Sequence, residues 1–260
     1  MNRLKGKIAI VTGTSRPNGI GAAICRAFAA EGANLFFTHW HEYDKDNYPS
    51  DANESWPELF AKELEQFGVT VGHMELDLAA PGAGSLLLNE VRKVIGLPTV
   101  LVNNATYSVD ADFRSLNEAL IDAHCAVNIR GTFMLSAEFA RQFELEKNSH
   151  LTGRIINLTS GQGKGPMPGN LAYAATKGAI SVFTESLAAE LASLGITVNA
   201  VDPGPTDSGW MTDAIKEALL PQFPMGRIGL PDDAARLITF LASDESGWIT
   251  GEIIHSRGGF

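Results

Sequence analysis

Short apolar runs rich in β-branched residues recur along the chain, separated by longer stretches whose apolar positions fall every three to four residues. The short runs predict strands at Lys7–Thr12, Asn34–Thr38, Thr70–Glu75, Thr99–Asn103, Arg154–Thr159, Ile196–Val201 and Glu252–His255. The helical spacing predicts helices at about Ile20–Glu31, Trp56–Phe67, Ser85–Ile95, Ser115–Glu146 (as two segments), Ala172–Leu194 and Asp232–Ala242. Such alternation predicts an α/β fold, a doubly wound parallel sheet of about seven strands with helices on both faces. No repeat, linker or low-complexity segment interrupts it, so residues 1–260 read as a single domain.

Two connections are irregular. His39–Ser55, "HWHEYDKDNYPSDANES", is a long polar link where a few residues would suffice, and it reads as a surface insertion. The segment at about 204–229 surrounds a short helical piece, "WMTDAIKEALL", with prolines and glycines. It follows a strand on the side where parallel sheets bind ligands, and it reads as a substrate lid. Trp210, Met211 and Phe223 in this lid either wall an apolar substrate or pack the lid down.

Composition then narrows the class. With 260 residues, 45% hydrophobic and 19% charged, the chain has an ordinary globular make-up. A net charge of −10 without a basic run argues against nucleic acid or an anionic membrane as partner. The first apolar run is too short for a signal peptide and no later one is long enough to span a membrane, so a cytoplasmic location is expected. Cys25 and Cys125 fall in apolar helical patterns and read as buried thiols. His39, His41 and Glu42 lack a third ligand on regular structure, so a solvated loop rather than a metal site is expected there. His73, His124, His150 and His255 are scattered.

Candidate chemistry begins at "VTGTSRPNGIGAAIC", Val11 to Cys25, where a strand, a glycine turn and a helix start meet. Unpaired amides and the positive end of a helix dipole converge there, a ready anion site. Further on, "YAATK" sets Tyr173 and Lys177 one turn apart on one helix face. A tyrosine is a poor base at neutral pH, and a nearby ammonium favours its phenolate, making it a usable proton donor and acceptor. "RIINLTS" ends at Ser160, whose hydroxyl leaves a strand over the ligand crevice and can bond a carbonyl oxygen. "LVNNAT" closes another strand with Asn103 and Asn104, and Asn128 sits on an apolar helical stretch where it wants a partner. Asp202, before Pro203, reads as structural.

These marks together resemble the short-chain dehydrogenase/reductase family, and the resemblance covers essentially the whole chain. They are the glycine loop Gly13–Gly21, "LDL" with Asp77, "NNA" at Asn103–Ala105, Asn128, Ser160, "YAATK", "PG" at Pro203–Gly204 and "ITGEIIHSRGG". The resemblance implies a Rossmann-type sheet and an NAD(P)(H)-dependent oxidoreductase that interconverts a carbonyl and a secondary alcohol, with 3-oxoacyl thioester reduction among the candidates. It implies Tyr173 as acid/base, Lys177 tuning it and holding the nicotinamide ribose, Ser160 orienting the carbonyl, and Asn128 holding a water in a relay behind Lys177. Cofactor contacts would come from Gly13, Ser15, Arg16, Gly19, Ile20 and Gly21 in the loop, and from Asp77, Leu78, Asn104 and Ala105 beside the adenosine. Pro203, Gly204, Thr206 and Ser208 would contact it near the carboxamide.

Three departures from the family pattern stand out. Five residues rather than three separate Gly13 from Gly19, "NNAG" is "NNAT" with Thr106, and Ser208 stands where a threonine is common. No acidic residue closes the second strand. Arg16 and His39 can both meet a phosphate, so NADP(H) is favoured over NAD(H). The helix at Ala172–Leu194 keeps Ala174, Gly178, Ser181, Val182 and Ala189 small or apolar away from its Tyr173–Lys177 face, which points to a homotetramer or homodimer. The alternative reading is a regulatory or scaffold protein that binds the cofactor without turnover.

Overall fold

The structure, a computed structural model, describes residues 2–47, 53–146 and 151–260. All seven expected strands form: β1 (Ile8–Val11), β2 (Asn34–His39), β3 (Val71–Glu75), β4 (Val100–Asn103), β5 (Gly153–Leu158), β6 (Ile196–Asp202) and β7 (Ile253–His255). They make one parallel sheet in the order β3-β2-β1-β4-β5-β6-β7. The order reverses on either side of β1, so the connections after β1 and β3 leave the sheet in opposite directions and a crevice opens at the strands' C-terminal ends.

Strand alternation divides the core in two. Ala9, Val11, Leu35, Phe37, Val100, Val102, Ile156 and Leu158 pack against α1 (Ile20–Ala30), α3 (Trp56–Glu65) and α9 (Pro231–Ala242), the last following the short α8 (Asp213–Leu219). Ile10, Phe36, Leu101, Ile155 and Val198 face the other way, toward α4 (Ala83–Val94), α6 (Thr132–Leu145) and α7 (Leu171–Leu191). Both faces are covered, which is why the strands carry near-continuous apolar sequence.

On the second face a buried polar chain joins the layers. Asn103 Nδ2 donates to Ser136 Oγ on α6 at 2.9 Å and to Asn157 Oδ1 on β5 at 2.8 Å. Asn157 Nδ2 continues to Thr184 Oγ1 on α7 at 2.9 Å. At the far edge Asp202 is fully buried and accepts from His255 Nδ1, Arg257 Nη1 and the Gly204 amide, so its role is to knot β6, β7 and the turn after β6 together. The Cys25 thiol, wholly buried beside Thr14, is pushed up to about 12 by desolvation and is inert at neutral pH. Cys125 is only partly buried.

Two elements differ from expectation. The segment expected as one helix broken in two is α5 (Glu118–His124), a π-helical turn (Cys125–Gly131) and α6. The second is α2 (His41–Asn47), a helix inside the connection read as an insertion; residues 48–52 of that connection, like His150, lie outside the described residues. Seven polar residues are too few to hold a helix alone. Its position comes from contacts that leave no apolar periodicity in the sequence.

Candidate active site

At the crevice a cavity of about 1350 Å³ runs from the glycine loop and the ends of β2 and β3, past β4 and β5, to the segment after β6. It exceeds the usual ~300–1,000 Å³ of small-molecule pockets, and its length suits a dinucleotide with a second molecule beside it.

The phosphate end is built by the glycine loop. Gly13 has φ of +68°, and a Cβ there would stand 2.5 Å from Ala105 Cα, so only glycine lets the loop lie on the β4 end. A Cβ on Gly21 would meet Thr14 Oγ1 at 2.7 Å, so α1 packs closely on the loop. Gly19 caps α1 without a side-chain hydrogen bond and the first turn has no acidic residue, leaving its amides to the cavity. These features fit a pyrophosphate. The lengthened lobe is held by its own contacts: the Gly19 amide donates to Arg16 O, and Arg26 Nη1 on α1 donates to Pro17 O at 3.0 Å.

Below the loop, Thr12 Oγ1 accepts from the Asn104 and Ala105 amides, and Asn104 Nδ2 donates to Thr12 O at 2.8 Å and Gly13 O at 2.9 Å. Asn104 thus stitches β1 to β4 while also bordering the cavity. Thr106 needs no glycine-like backbone: no non-glycine residue described has positive φ, and its hydroxyl donates to Asn128 Oδ1 at 3.1 Å.

At the end of β2 the expected cations are committed elsewhere. His39 lines the cavity, but its Nε2 pairs with His73 Nδ1 at 3.2 Å, and burial, with His73 beside it, lowers its pKa below the ordinary histidine value. That direction disfavours the charged form, which weakens the charge argument for a phosphate contact at His39 while leaving its ring at the cavity wall. Arg16 reaches Asp44 on α2 at 3.4 Å and donates to Ser208 O at 3.2 Å. Glu42, Tyr43, Asp44, Asp46 and Asn47 all line the cavity, so the described part of the supposed surface insertion is a wall of the site.

The reacting end is set by β5 and α7. Ser160 follows β5 in extended conformation, and both it and Tyr173, in the first turn of α7, border the cavity. Lys177 does not reach the cavity surface. It is 2% exposed, donates to Leu158 O at 2.8 Å, and sits 5.6 Å from the centre of the Tyr173 ring. Desolvation lowers its pKa from 10.5 to about 8, which leaves it mostly protonated at neutral pH.

Asn128, in the π-turn, is fully buried. Its Oδ1 accepts from Thr106 Oγ1 and the Tyr107 amide, and its Nδ2 donates to Tyr107 O and to Thr176 Oγ1, which in turn donates to Tyr173 O. The side chain is used up in joining the loop after β4 to the first turn of α7. These bonds give the Asn128 side chain a positioning task.

The remaining expected residues gather as anticipated. Ser15, Ile20, Asp77, Leu78, Pro203, Gly204, Thr206 and Ser208 line the cavity, while Gly21 packs beneath it. In the segment after β6, Met211 and Phe223 are buried and pack it down, whereas Trp210 faces the cavity. Sequence reasoning missed Thr12, Thr176, Tyr43, Asp44 and Arg257. The first two are common residues whose partners are distant in sequence. The charged pair Asp44 and Arg16 is visible only once α2 folds back.

The comparisons agree with this geometry. The family described as enoyl-(acyl carrier protein) reductase matches residues 13–260. The uncharacterized oxidoreductase YjdA of Bacillus subtilis is 52% identical over 260 residues, covering 100% of this chain and 99% of that one. The 3-oxoacyl-[acyl-carrier-protein] reductase FabG of Aquifex aeolicus is 31% identical over 260 residues, covering 99% and 98%. Among solved structures, a short-chain dehydrogenase/reductase from Serratia marcescens superposes with a TM-score of 0.83 at 30% identity, covering 99% of this chain and 100% of that one.

The buried ammonium makes a pH prediction. Between about 8 and 10.5 the unfolded chain carries a proton on this lysine that the folded chain has released. Its contribution to stability therefore rises with pH through that window and is flat below it. Urea unfolding of ligand-free wild type should gain stability relative to Lys177→Met between pH 8 and 10.5; a constant difference across that window would contradict the burial of the charge.

Proposed function

The chain belongs to the short-chain dehydrogenase/reductase family, and on that premise we propose that the cleft interconverts a carbonyl and a secondary alcohol with Tyr173 as the proton donor and acceptor. The observation that carries this is the Lys177 ammonium, buried against the Tyr173 ring at the wall of a cavity that also holds the Ser160 hydroxyl. The nicotinamide cofactor of this family supplies or takes the hydride. Ser160 donates a hydrogen bond to the carbonyl oxygen, and Tyr173 gives that oxygen its proton in the reducing direction. Lys177 keeps positive charge beside the phenol, and the ribose contact expected of it requires its ammonium to leave the Leu158 carbonyl and turn toward the cavity. Asn128 works through Thr176, holding the turn that carries Tyr173. A protein that only binds cofactor has no physical need for this set, which weighs against the regulatory alternative.

The glycine-loop amides would hold the pyrophosphate, with Asp77, Leu78, Asn104 and Ala105 on the adenosine side and Pro203, Gly204, Thr206 and Ser208 on the nicotinamide side. We favour NADP(H) over NAD(H), chiefly on Arg16, because the shift at His39 disfavours its charged form. The preference is small, since Asp44 offsets the Arg16 charge. A 3-oxoacyl thioester is the first substrate class to try, on the likeness to relatives named for that reaction. We place the enzyme in the cytoplasm, as one domain assembled into a homodimer or homotetramer; Val182 on α7 is 64% exposed, in keeping with a partner face.

Three outcomes test this reading. Tyr173→Phe should cut turnover by about 10²–10⁴ and leave cofactor affinity within about twofold; a tenth of wild-type activity would remove Tyr173 as the acid. Fluorescence titration should give a lower Kd for NADPH than for NADH, and Arg16→Met should erase the difference; tighter NADH binding by wild type would reverse the cofactor choice. Sedimentation at micromolar concentration should show a dimer or tetramer, and a single species of monomer mass would refute the assembly.

A further inference from the structure

The connection after β2 does more than link two elements, and the inference rests on the nicotinamide-cofactor reading above. The α2 helix, "HEYDKDN", has no apolar stripe, yet it is fixed at two points. At one, the Tyr43 hydroxyl accepts from the Ser108 amide at 3.1 Å and donates to Ser108 O at 3.3 Å. The Tyr43 ring lies against Tyr107, with centroids 5.5 Å apart, and Tyr107 meets the buried His124 ring edge-on. The Tyr107 backbone is held on both its amide and its carbonyl by Asn128. At the other point, Asp44 is 5% exposed and pairs with Arg16, whose guanidinium also reaches Ser208 O beyond β6.

A surface insertion gains nothing from a buried carboxylate, which is costly unless it is paired. Here the pair ties α2 to the glycine loop, and the tyrosine ties it to the loop after β4. Those two loops are the sides of the adenosine half of the cavity, and α2 bridges them with Tyr43 and Asp44 facing the same space. We propose that α2 is the adenosine-side wall of the cofactor cleft, with Tyr43 the residue that pins it closed and Asp44 the residue that limits how strongly Arg16 attracts a 2′-phosphate.

Both are positioning residues, and adenosine fragments read their effect without turnover. Adenosine 5′-diphosphate, adenosine 2′,5′-bisphosphate, NADH and NADPH would be titrated against wild type, Tyr43→Phe and Asp44→Asn. Loss of two hydrogen bonds in Tyr43→Phe should weaken all four ligands by about tenfold, with kcat at saturating cofactor within about twofold. Asp44→Asn keeps the shape and so guards against a misfolded first variant. It should favour the 2′-phosphorylated ligand of each pair over its partner by about tenfold more than wild type does. Variants that lose thermal stability while binding the fragments as wild type does would reduce α2 to a structural insertion, and an equal effect of Asp44→Asn within each pair would remove its role in discrimination. Wild type that binds neither dinucleotide would instead overturn the proposed function itself.

Discussion

An ammonium taken almost wholly out of water, at Lys177, is the constraint around which the cleft is arranged. Burial of a charge is tolerated only when something nearby answers it. Here the answer is the Leu158 carbonyl at the end of β5 on one side and the face of the Tyr173 ring on the other. Those contacts fix α7 against β5 at the level of the cavity, so the phenol is presented at the cavity wall next to the Ser160 turn. Without the lysine in that place, the tyrosine would be an ordinary aromatic residue on the first turn of a long helix.

The floor of the cleft is rigid for a related reason. Its carbonyls and amides are paired through short polar side chains that cross between strands: Thr12 and Asn104 join β1 to β4, and Asn103 and Asn157 join β4 to β5. Asn128 carries the same stitching to α7 through Thr176. The network holds several loops in one register, although Asn103 Oδ1 is left without a hydrogen-bond partner. The loops around that floor carry the lengthened glycine lobe and α2.

The sheet and most helices were legible because buried parallel strands and amphipathic helices leave periodic apolar patterns. All seven strands fall within a residue or so of their expected positions. The reacting residues were legible because Tyr173 and Lys177 share one helix turn and Ser160 ends a strand. What was illegible has a common cause. Tyr43 on Ser108, Asp44 on Arg16 and His39 on His73 are contacts between residues 34 to 65 apart, or between α2 and the glycine loop, with no local signature. His39 shows the consequence most plainly: nothing beside it in sequence announces the His73 ring on β3 that it meets. The π-turn at Asn128 was hidden for a similar reason, since its sequence reads as unbroken helix.

The central claim is that this buried lysine and its tyrosine serve hydride transfer to a carbonyl rather than cofactor binding alone. The most direct test uses reduced nicotinamide cofactor labelled with deuterium at the transferable position. It would be incubated with the protein and a panel of small ketones and 3-oxoacyl thioesters, with the products read by mass spectrometry. The account predicts, for at least one member of the panel, an alcohol carrying a single deuterium on the former carbonyl carbon. Cofactor that binds the protein and returns fully labelled, with no deuterated alcohol from any carbonyl, would contradict it.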